Sequence, residues 1–394
     1  MFSSAVNNKS IGHKFIKSDS QMLNQVYGTD DVVSYWIADM EFPIAPPITA
    51  AMQNLVDRET YSYEFDSKTV FNAISDWNKL RHQITLNPDN FVQVPGVLSA
   101  IALLIREFSQ KGDGVLIQTP VYHQFRRLIE SAGRTAVTNT LKTENGRYVV
   151  DFEDFENKLK QGDVKIVLLC NPHNPVGRVW QKAELEQLVT IAKKYQTLII
   201  SDEVHADIVF AGNEFTSITE LGYEQSISII GSPAKNFGLN SIANGYIYSD
   251  NLELKEQINS TVSSMSLDHG NAFTTYATIA AYLQGMRWFE AFLSYTQANR
   301  DWLIEYLTAQ LPQIKFYQPE GTNQIWLDFS GLQLDSTELK SLLIQKAKLA
   351  LTPGTWFGEN DENFYRLNFA VPLEQIQASF ELLNSAISQL HHGH

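Results

Sequence analysis

VKIVLLCNPHNPVGR (164–178) is the stretch that decides the fold. Its first seven residues form a near-continuous apolar run, which reads as a strand covered on both faces. Two Asn-Pro steps and a glycine then stop the run in a turn. Further runs of the same kind lie on either side: GVLIQ (114–118), TLIIS (197–201), SISII (226–230) and NGYIYS (244–249). Helix-period segments separate them. Residues 97–109 place Val97, Ile101, Leu104, Ile105 and Phe108 on one face, Tyr122–Ala132 reads as a helix stopped at Gly133, and Glu184–Tyr195 turns Leu185, Leu188, Val189 and Ala192 inward. Buried strands alternating with helices predict an α/β layer with a mostly parallel sheet.

Near residue 287 the pattern changes. MRWFEAFLSYTQANRDWLIEYLTAQL reads as one long helix. After it come a strand at QIWLDF (324–329), a helix opening at DSTE (335–338), a strand at NFYRLNF (363–369) and a last helix started by Pro372. This is the grammar of a smaller α+β unit. The expected division is 1–47 as an N-terminal arm and part of the small domain, 48–287 as the large domain and 288–394 as the C-terminal small domain.

Composition narrows the function. The 394 residues carry a net charge of −14, which repels phosphate backbones and anionic lipid, so neither a nucleic-acid partner nor a membrane is expected. Cys170 is the sole cysteine, which rules out a disulfide within the chain and fits a cytoplasmic setting. No run of about 18 apolar residues is present. The first residues, MFSSAVNNKSIGHKF, lack a signal-peptide core, and the terminal HHGH reads as a disordered tail rather than a metal site. His82, His123, His173 and His205 have no ligand spacing, so no metal is expected.

Four features fall on successive strand ends, where α/β sheets bind ligands. Gly96 precedes an apolar-striped helix, so the backbone N–H groups of Val97 and Leu98 can approach an anion. Asn174 lies in the turn after 164–170. Asp202 ends the next strand, where a carboxylate can hold a protonated ring nitrogen. Ser232 and Lys235 follow the strand at 226–230, and a lysine near an apolar site can lose its proton and form an imine. Each has an ordinary explanation by itself: a turn, a cap, a surface loop, a solvated lysine. Their order along the chain is harder to explain that way.

In this order, the helix start, an aromatic after a strand, NPxNPxG, the Asp-bearing strand end and S-x-x-K resemble the pyridoxal-phosphate-dependent fold-type-I aminotransferases. WIADMEF (36–42), IQTPVYHQF (117–125), LCNPHNPVGRVW (169–180), SDEVHAD (201–207) and FYRLNFA (364–370) resemble more closely the MalY/PatB cystathionine β-lyase (C–S lyase) family. The resemblance implies a seven-stranded large domain, pyridoxal 5′-phosphate as cofactor and a sulfur amino acid as substrate. It implies that Lys235 carries the cofactor and takes the substrate Cα proton, that Asp202 lies beneath the ring nitrogen, and that Tyr122 stacks on the ring. Asn174 and His205 would face the ring oxygen. Gly96, Val97, Leu98 and Ser232 would cradle the phosphate, with Tyr63 reaching it from the other subunit of a homodimer. Arg366 would grip the substrate carboxylate beside Ala38. The sequence departs from the pattern at Ala243, where many aminotransferases have an arginine on the phosphate, and at His205, where they often have tyrosine. The expected reaction is α,β-elimination to pyruvate, ammonia and a thiol. Transamination on the same scaffold and a regulatory protein-binding role are the alternatives.

Overall fold

The computed structural model describes residue 2 and residues 15–64, 66–359 and 361–391. His391 ends the last helix, and the rest of HHGH lies outside the described residues.

Seven strands make the main sheet: β1 (Phe91–Val94), β2 (Gly114–Thr119), β3 (Thr135–Thr140), β4 (Val164–Cys170), β5 (Leu198–Asp202), β6 (Ser226–Gly231) and β7 (Gly245–Tyr248), in the spatial order β1-β7-β6-β5-β4-β2-β3. β7 runs antiparallel to both neighbours, and the pairings among β3, β2, β4, β5 and β6 are parallel. The expected two-sided cover follows from the pleat. In β4, Ile166, Leu168 and Cys170 join a core with Ala100, Ile101 and Leu104 of the helix Val97–Glu107. Val167 and Leu169 join the opposite core with Phe155, Leu185, Leu188 and Ala192.

Helix starts shift slightly from expectation. Gln124, not Tyr122, begins its helix, so Tyr122 stays in the loop after β2. The helix expected from Glu184 starts at Lys182, because Glu184 is the third residue of a capping box with Gln181.

The smaller sheet is antiparallel: β8 (Lys315–Phe316), β9 (Gln324–Asp328), β10 (Thr352–Pro353) and β11 (Phe364–Asn368), in the order β8-β9-β11-β10. Val33 and Ser34 pair in parallel with Leu349 and Ala350 as a separate two-stranded sheet. The 287/288 division falls inside the continuous helix Met286–Gln310.

A buried carboxylate braces the lysine-bearing turn from behind. Asp207 accepts from Trp77 Nε1 at 2.9 Å and from Asn236 Nδ2, lies 2.7 Å from His82 Nε2, and takes Arg81 Nη2 on its backbone oxygen at 3.1 Å. Burial alone would raise the Asp207 pKa, but its hydrogen bond and charge contact with His82, then Arg81 and Trp77, hold it below the ordinary value. Asp207→Ala would strand these donors and is expected to cost about 3 kcal/mol, read as a lower urea midpoint. Because the folded pKa is depressed, this contribution is complete above the unfolded value near ~3.9. The charge-linked part is lost as pH falls through the folded value, so the gap between the midpoints of parent and variant should narrow in acid.

Candidate active site

The carboxyl ends of β4, β5 and β6 open into one cavity of about 800 Å³. Register brings the ends together: Cys170 pairs with Asp202, and Asp202 with Ile229. Gly231 has φ 86°, and a Cβ there would meet Val204 Cα at 2.8 Å, so only glycine lets the chain pass over β5's exit and bring Lys235 round. Ser232 caps the short helix Pro233–Phe237 by accepting from Ala234 N at 3.1 Å.

Every residue expected at the site except Tyr63 lines this cavity: Ala38, Gly96, Val97, Leu98, Tyr122, Asn174, Asp202, His205, Ser232, Lys235 and Arg366. Ala243 lines it as well. Tyr63 is fully exposed and outside the cavity of its own chain.

The segment Trp36–Asp39 presents four successive carbonyls to side-chain donors. Trp36 O accepts from Arg366 Nη2 and Thr352 Oγ1, each at 2.7 Å, and Ile37 O from Asn368 Nδ2 at 2.8 Å. Ala38 O accepts from Lys235 Nζ at 2.5 Å, and Asp39 O from Asn368 Nδ2. The WIAD and RLN motifs are thus two halves of one hydrogen-bonded seam. Arg366, on β11 opposite Thr352, is buried, so the surface ion pair that an alternating strand suggests is not what it makes. Nη1 donates to Asn174 Oδ1 at 3.1 Å, and Nε has no partner among the described residues. Among the described residues no carboxylate pairs with the guanidinium. Burial pulls its pKa down to about 10.

The other ionisable groups are similarly poised. Burial lifts the Asp202 pKa to about 7, opposed by the N–H of Val204 at 3.2 Å. Burial lowers Lys235 to about 8, with Asp39 opposing, Arg366 adding and Asp202 opposing. His205 is driven to about 3 by burial, then by Lys235 and Arg366, so its imidazole is neutral, and its Nδ1 has no partner among the described residues. The helix Val97–Glu107 starts at Gly96 with no side-chain cap, and a Cβ on Gly96 would meet nothing within 4 Å. Ser99, Ser232, Asn240 and Ala243 line the same cavity, whose cations among the described residues are Lys235 and Arg366.

The sequence reading missed several lining groups: Trp36, Ile37, His123, Cys170, Asn240, Thr352 and Trp356. Thr352 and Trp356 sit in TPGTW (352–356), a turn-rich run just before the RLN strand, and that density was a usable signal. His123 stacks edge-on against Trp356 at 5.4 Å, a contact between segments more than two hundred residues apart that local pattern cannot reveal.

The sequence profile of the class I and II aminotransferases matches residues 48–382. The chain belongs to that family. Among curated members, it is 32% identical over 381 residues to the cystathionine β-lyase PatB of Bacillus subtilis, covering 96% of this chain and 98% of PatB. It is 29% identical over 363 residues to the protein MalY of Escherichia coli, covering 92% and 93%. Among solved structures, this aminotransferase-family chain superposes on cystalysin from Treponema denticola, which contains pyridoxal 5′-phosphate, with a TM-score of 0.90, 30% identity and 99% of each chain covered. It superposes on the pyridoxal-phosphate-bound C–S lyase of Staphylococcus hominis with a TM-score of 0.88, 26% identity and 98% of each chain covered. The fold is therefore that of the fold-type-I aminotransferases, as the motif order implies.

Proposed function

We propose that this protein is a pyridoxal-phosphate-dependent C–S β-lyase, cleaving amino acids of the cystathionine or cysteine type into pyruvate, ammonia and a thiol. One observation carries the reading: Lys235, Asp202, Asn174, Arg366 and the uncapped helix at Gly96 converge on a single cavity. The names of its relatives support elimination over transamination.

The residues fit the cofactor at three points. The Gly96 helix start offers free backbone N–H groups and room for a phosphate. Asp202 is a buried carboxylate with a single backbone donor, a setting that favours a cationic ring nitrogen. Lys235 is an amine whose burial keeps much of it neutral near pH 8. When bound, pyridoxal phosphate supplies an electron-withdrawing ring that takes up the charge left as the Cα proton departs.

The chain's residues would act as follows. Arg366 holds the substrate carboxylate with the N–H groups not committed to Trp36, Thr352 and Asn174. Lys235 takes the Cα proton at Nζ, the base being matched to its task by the lowered pKa. Asp202 keeps the ring nitrogen charged. Tyr122, which lines the cavity, would pack against the ring. Asn174 and the neutral His205 address its oxygen, since the Nδ2 end of Asn174 has no protein acceptor among the described residues. Gly96, Val97, Leu98 and Ser232 would hold the phosphate, and the paired rings of Trp356 and His123 line the same cavity.

A homodimer completes the site in this reading. Val56, Tyr61 and Tyr63 are large exposed groups close together in sequence, which suits burial against a second copy and delivery of Tyr63 to its phosphate end. Tyr63→Phe should then weaken cofactor binding about tenfold, a loss of one hydrogen bond to a charged group. Equilibrium dialysis checks it. A cytoplasmic location accords with the single cysteine, and no helix among the described residues is long and apolar enough to cross a membrane. The deciding experiment adds pyridoxal phosphate, records the visible spectrum, and assays cystathionine and cysteine. Pyruvate with equimolar ammonia is expected. An oxo acid formed only when a second oxo acid is supplied would assign transamination instead.

A further inference from the structure

Among the described residues, the charged side chains lining the cavity are Asp202, Lys235 and Arg366. Each has a task in the lyase reading, at the ring nitrogen, the Cα proton and the substrate carboxylate. None remains for the group carried on the substrate's sulfur. What flanks Lys235 and Arg366 instead is largely apolar. Trp36 gives its carbonyl to Arg366 Nη2, and Ile37 precedes Ala38, whose carbonyl holds Lys235 Nζ. Ile16, His123 and Trp356 line the same space. The rings are locked together, with Trp356 edge-on to Trp36 at 6.2 Å and to His123 at 5.4 Å. Burial lowers the His123 pKa to about 4, with Arg366 and then Arg127 adding, so its imidazole is neutral. Gln124, also in the lining, accepts from Arg127 Nε on its side-chain oxygen.

Ile16 is brought to this wall by a turn pinned at its next residue. Lys17 O accepts from Ser34 Oγ at 2.5 Å and from Trp36 Nε1 at 3.2 Å, which also occupies the indole N–H. The buried Lys17 Nζ lies 2.6 Å from Glu41 Oε1 and 3.5 Å from Asp39 Oδ1, and a lysine is rarely buried without such pairing. Backbone and ammonium of one residue thus fasten the turn to the Trp36–Glu41 segment. Ile16, itself 59% exposed, is left over the cavity.

We propose that Ile16, Trp36, Ile37, His123 and Trp356 form the leaving-group subsite, that it takes uncharged S-alkyl and S-aryl groups in preference to the zwitterionic arm of cystathionine, and that Lys17 positions Ile16 in it. The choice of a sulfur substrate rests on the lyase reading above, whereas the wall binds alkyl groups whether or not the chain eliminates. An alkyl group that leaves water for this wall gains in proportion to its apolar area. An aryl group adds ring-on-ring contacts with the two indoles. The distal ammonium and carboxylate of cystathionine would lose hydration at the same wall and meet no opposite charge there. Lys17 acts through Ile16 and is a positioning residue.

The test uses the full-length holoenzyme and two series of probes. The 3-(alkylthio)propanoates are the substrate without its amine, so they bind and cannot react. By calorimetry, lengthening the alkyl group from ethyl to butyl should lower Kd about tenfold, from two further methylenes against the wall. For the S-alkyl-L-cysteines, followed by pyruvate release, kcat/KM should rise about tenfold from ethyl to butyl. L-cystathionine should fall at least about tenfold below S-butyl-L-cysteine. Ile16→Asp should shrink the butyl-over-ethyl ratio to about threefold in both series. It should also raise cystathionine relative to S-butylcysteine, because a carboxylate there can meet the distal ammonium. Lys17→Met should shrink the butyl-over-ethyl ratio too, whereas a merely structural Lys17 would lower stability and leave that ratio in place. If Lys17→Met does not fold, Glu41→Gln, which removes the closer of its ion pairs, takes its place. Equal Kd for ethyl and butyl, cystathionine level with or above S-butylcysteine, or an unmoved ratio in Ile16→Asp overturns the subsite. An unmoved ratio in the Lys17 or Glu41 variant overturns the positioning role. Failure of the lyase reading shows differently, as no pyruvate from any substrate with the alkyl preference in Kd intact.

Discussion

Lys235→Met is expected to abolish lyase turnover, by at least about 10³-fold, while leaving a chain that folds more stably than the parent without cofactor. The loss follows from the two tasks of one amine: it anchors the cofactor and carries the Cα proton. Borohydride should then fix no cofactor to the variant, and its visible band should vanish. The stability gain follows from burial. Lys235 ionises at about 8 in the fold against 10.5 ordinarily, so folding opposes its protonation. At about 1.4 kcal/mol per pKa unit, the shift corresponds to about 3 kcal/mol. Its sign is fixed by proton binding. Between about pH 8 and 10.5 the unfolded chain holds more protons at this position than the native one, so parent stability rises with pH there. The penalty is complete below that window and gone above it. The urea-midpoint advantage of Lys235→Met should therefore shrink as pH climbs through the window, and a pH-independent advantage would reject this account.

The same logic applies to the rest of the cavity. Asp202 is lifted to about 7 and Arg366 pulled to about 10 by burial, so three charged groups are held at positions where the protein alone disfavours their charge. A ligand bringing a cation to Asp202, a carbonyl to Lys235 and a carboxylate to Arg366 would relieve all three. Local strain at functional positions of this sort is expected when a site is selected for chemistry rather than for stability.

Five strands of the large sheet were readable as apolar runs bounded by turn formers, whereas Phe91–Val94 and the polar edge strand Thr135–Thr140 (TAVTNT) carry no such run; the two-sided cover follows from the pleat of β4. The helix at 182–194 was misplaced by two residues because a capping glutamate sits third in a helix, not first. Strand ends could be found one at a time, but not their convergence. Cys170 beside Asp202 is a fact of register, and the meeting of Trp36 with Arg366 spans 330 residues. Motif likeness marked WIADMEF without giving its task. The structure supplies one: consecutive carbonyls that hold Arg366, Asn368 and Lys235. The ion pairs of Lys17 with Glu41 at 2.6 Å and Asp39 at 3.5 Å were invisible to pattern, because an isolated lysine reads as solvated.

Arg366→Leu should cut kcat/KM for elimination about 10³-fold and leave cofactor affinity nearly unchanged. The buried guanidinium already donates to Trp36 O, Thr352 Oγ1 and Asn174 Oδ1, so its plane is set before a substrate arrives, and the unpartnered Nε–H belongs to the same rigid fork. Hydrogen bonds to a charged group contribute about 1.5–3 kcal/mol each, and two of them amount to roughly three decades in rate. Arg366→Lys should recover little, because a single ammonium cannot hold three fixed acceptors and also grip a carboxylate in two places. The loss should fall on both KM and kcat, since a carboxylate left unheld also misplaces Cα over Lys235. A second signature separates charge from shape. Arg366 disfavours the protonated form of Lys235, so its removal should move the acid limb of the pH profile to higher pH. If Arg366→Leu loses cofactor as readily as substrate, or keeps its pH profile in place, then Arg366 supports the fold of the seam rather than gripping the carboxylate.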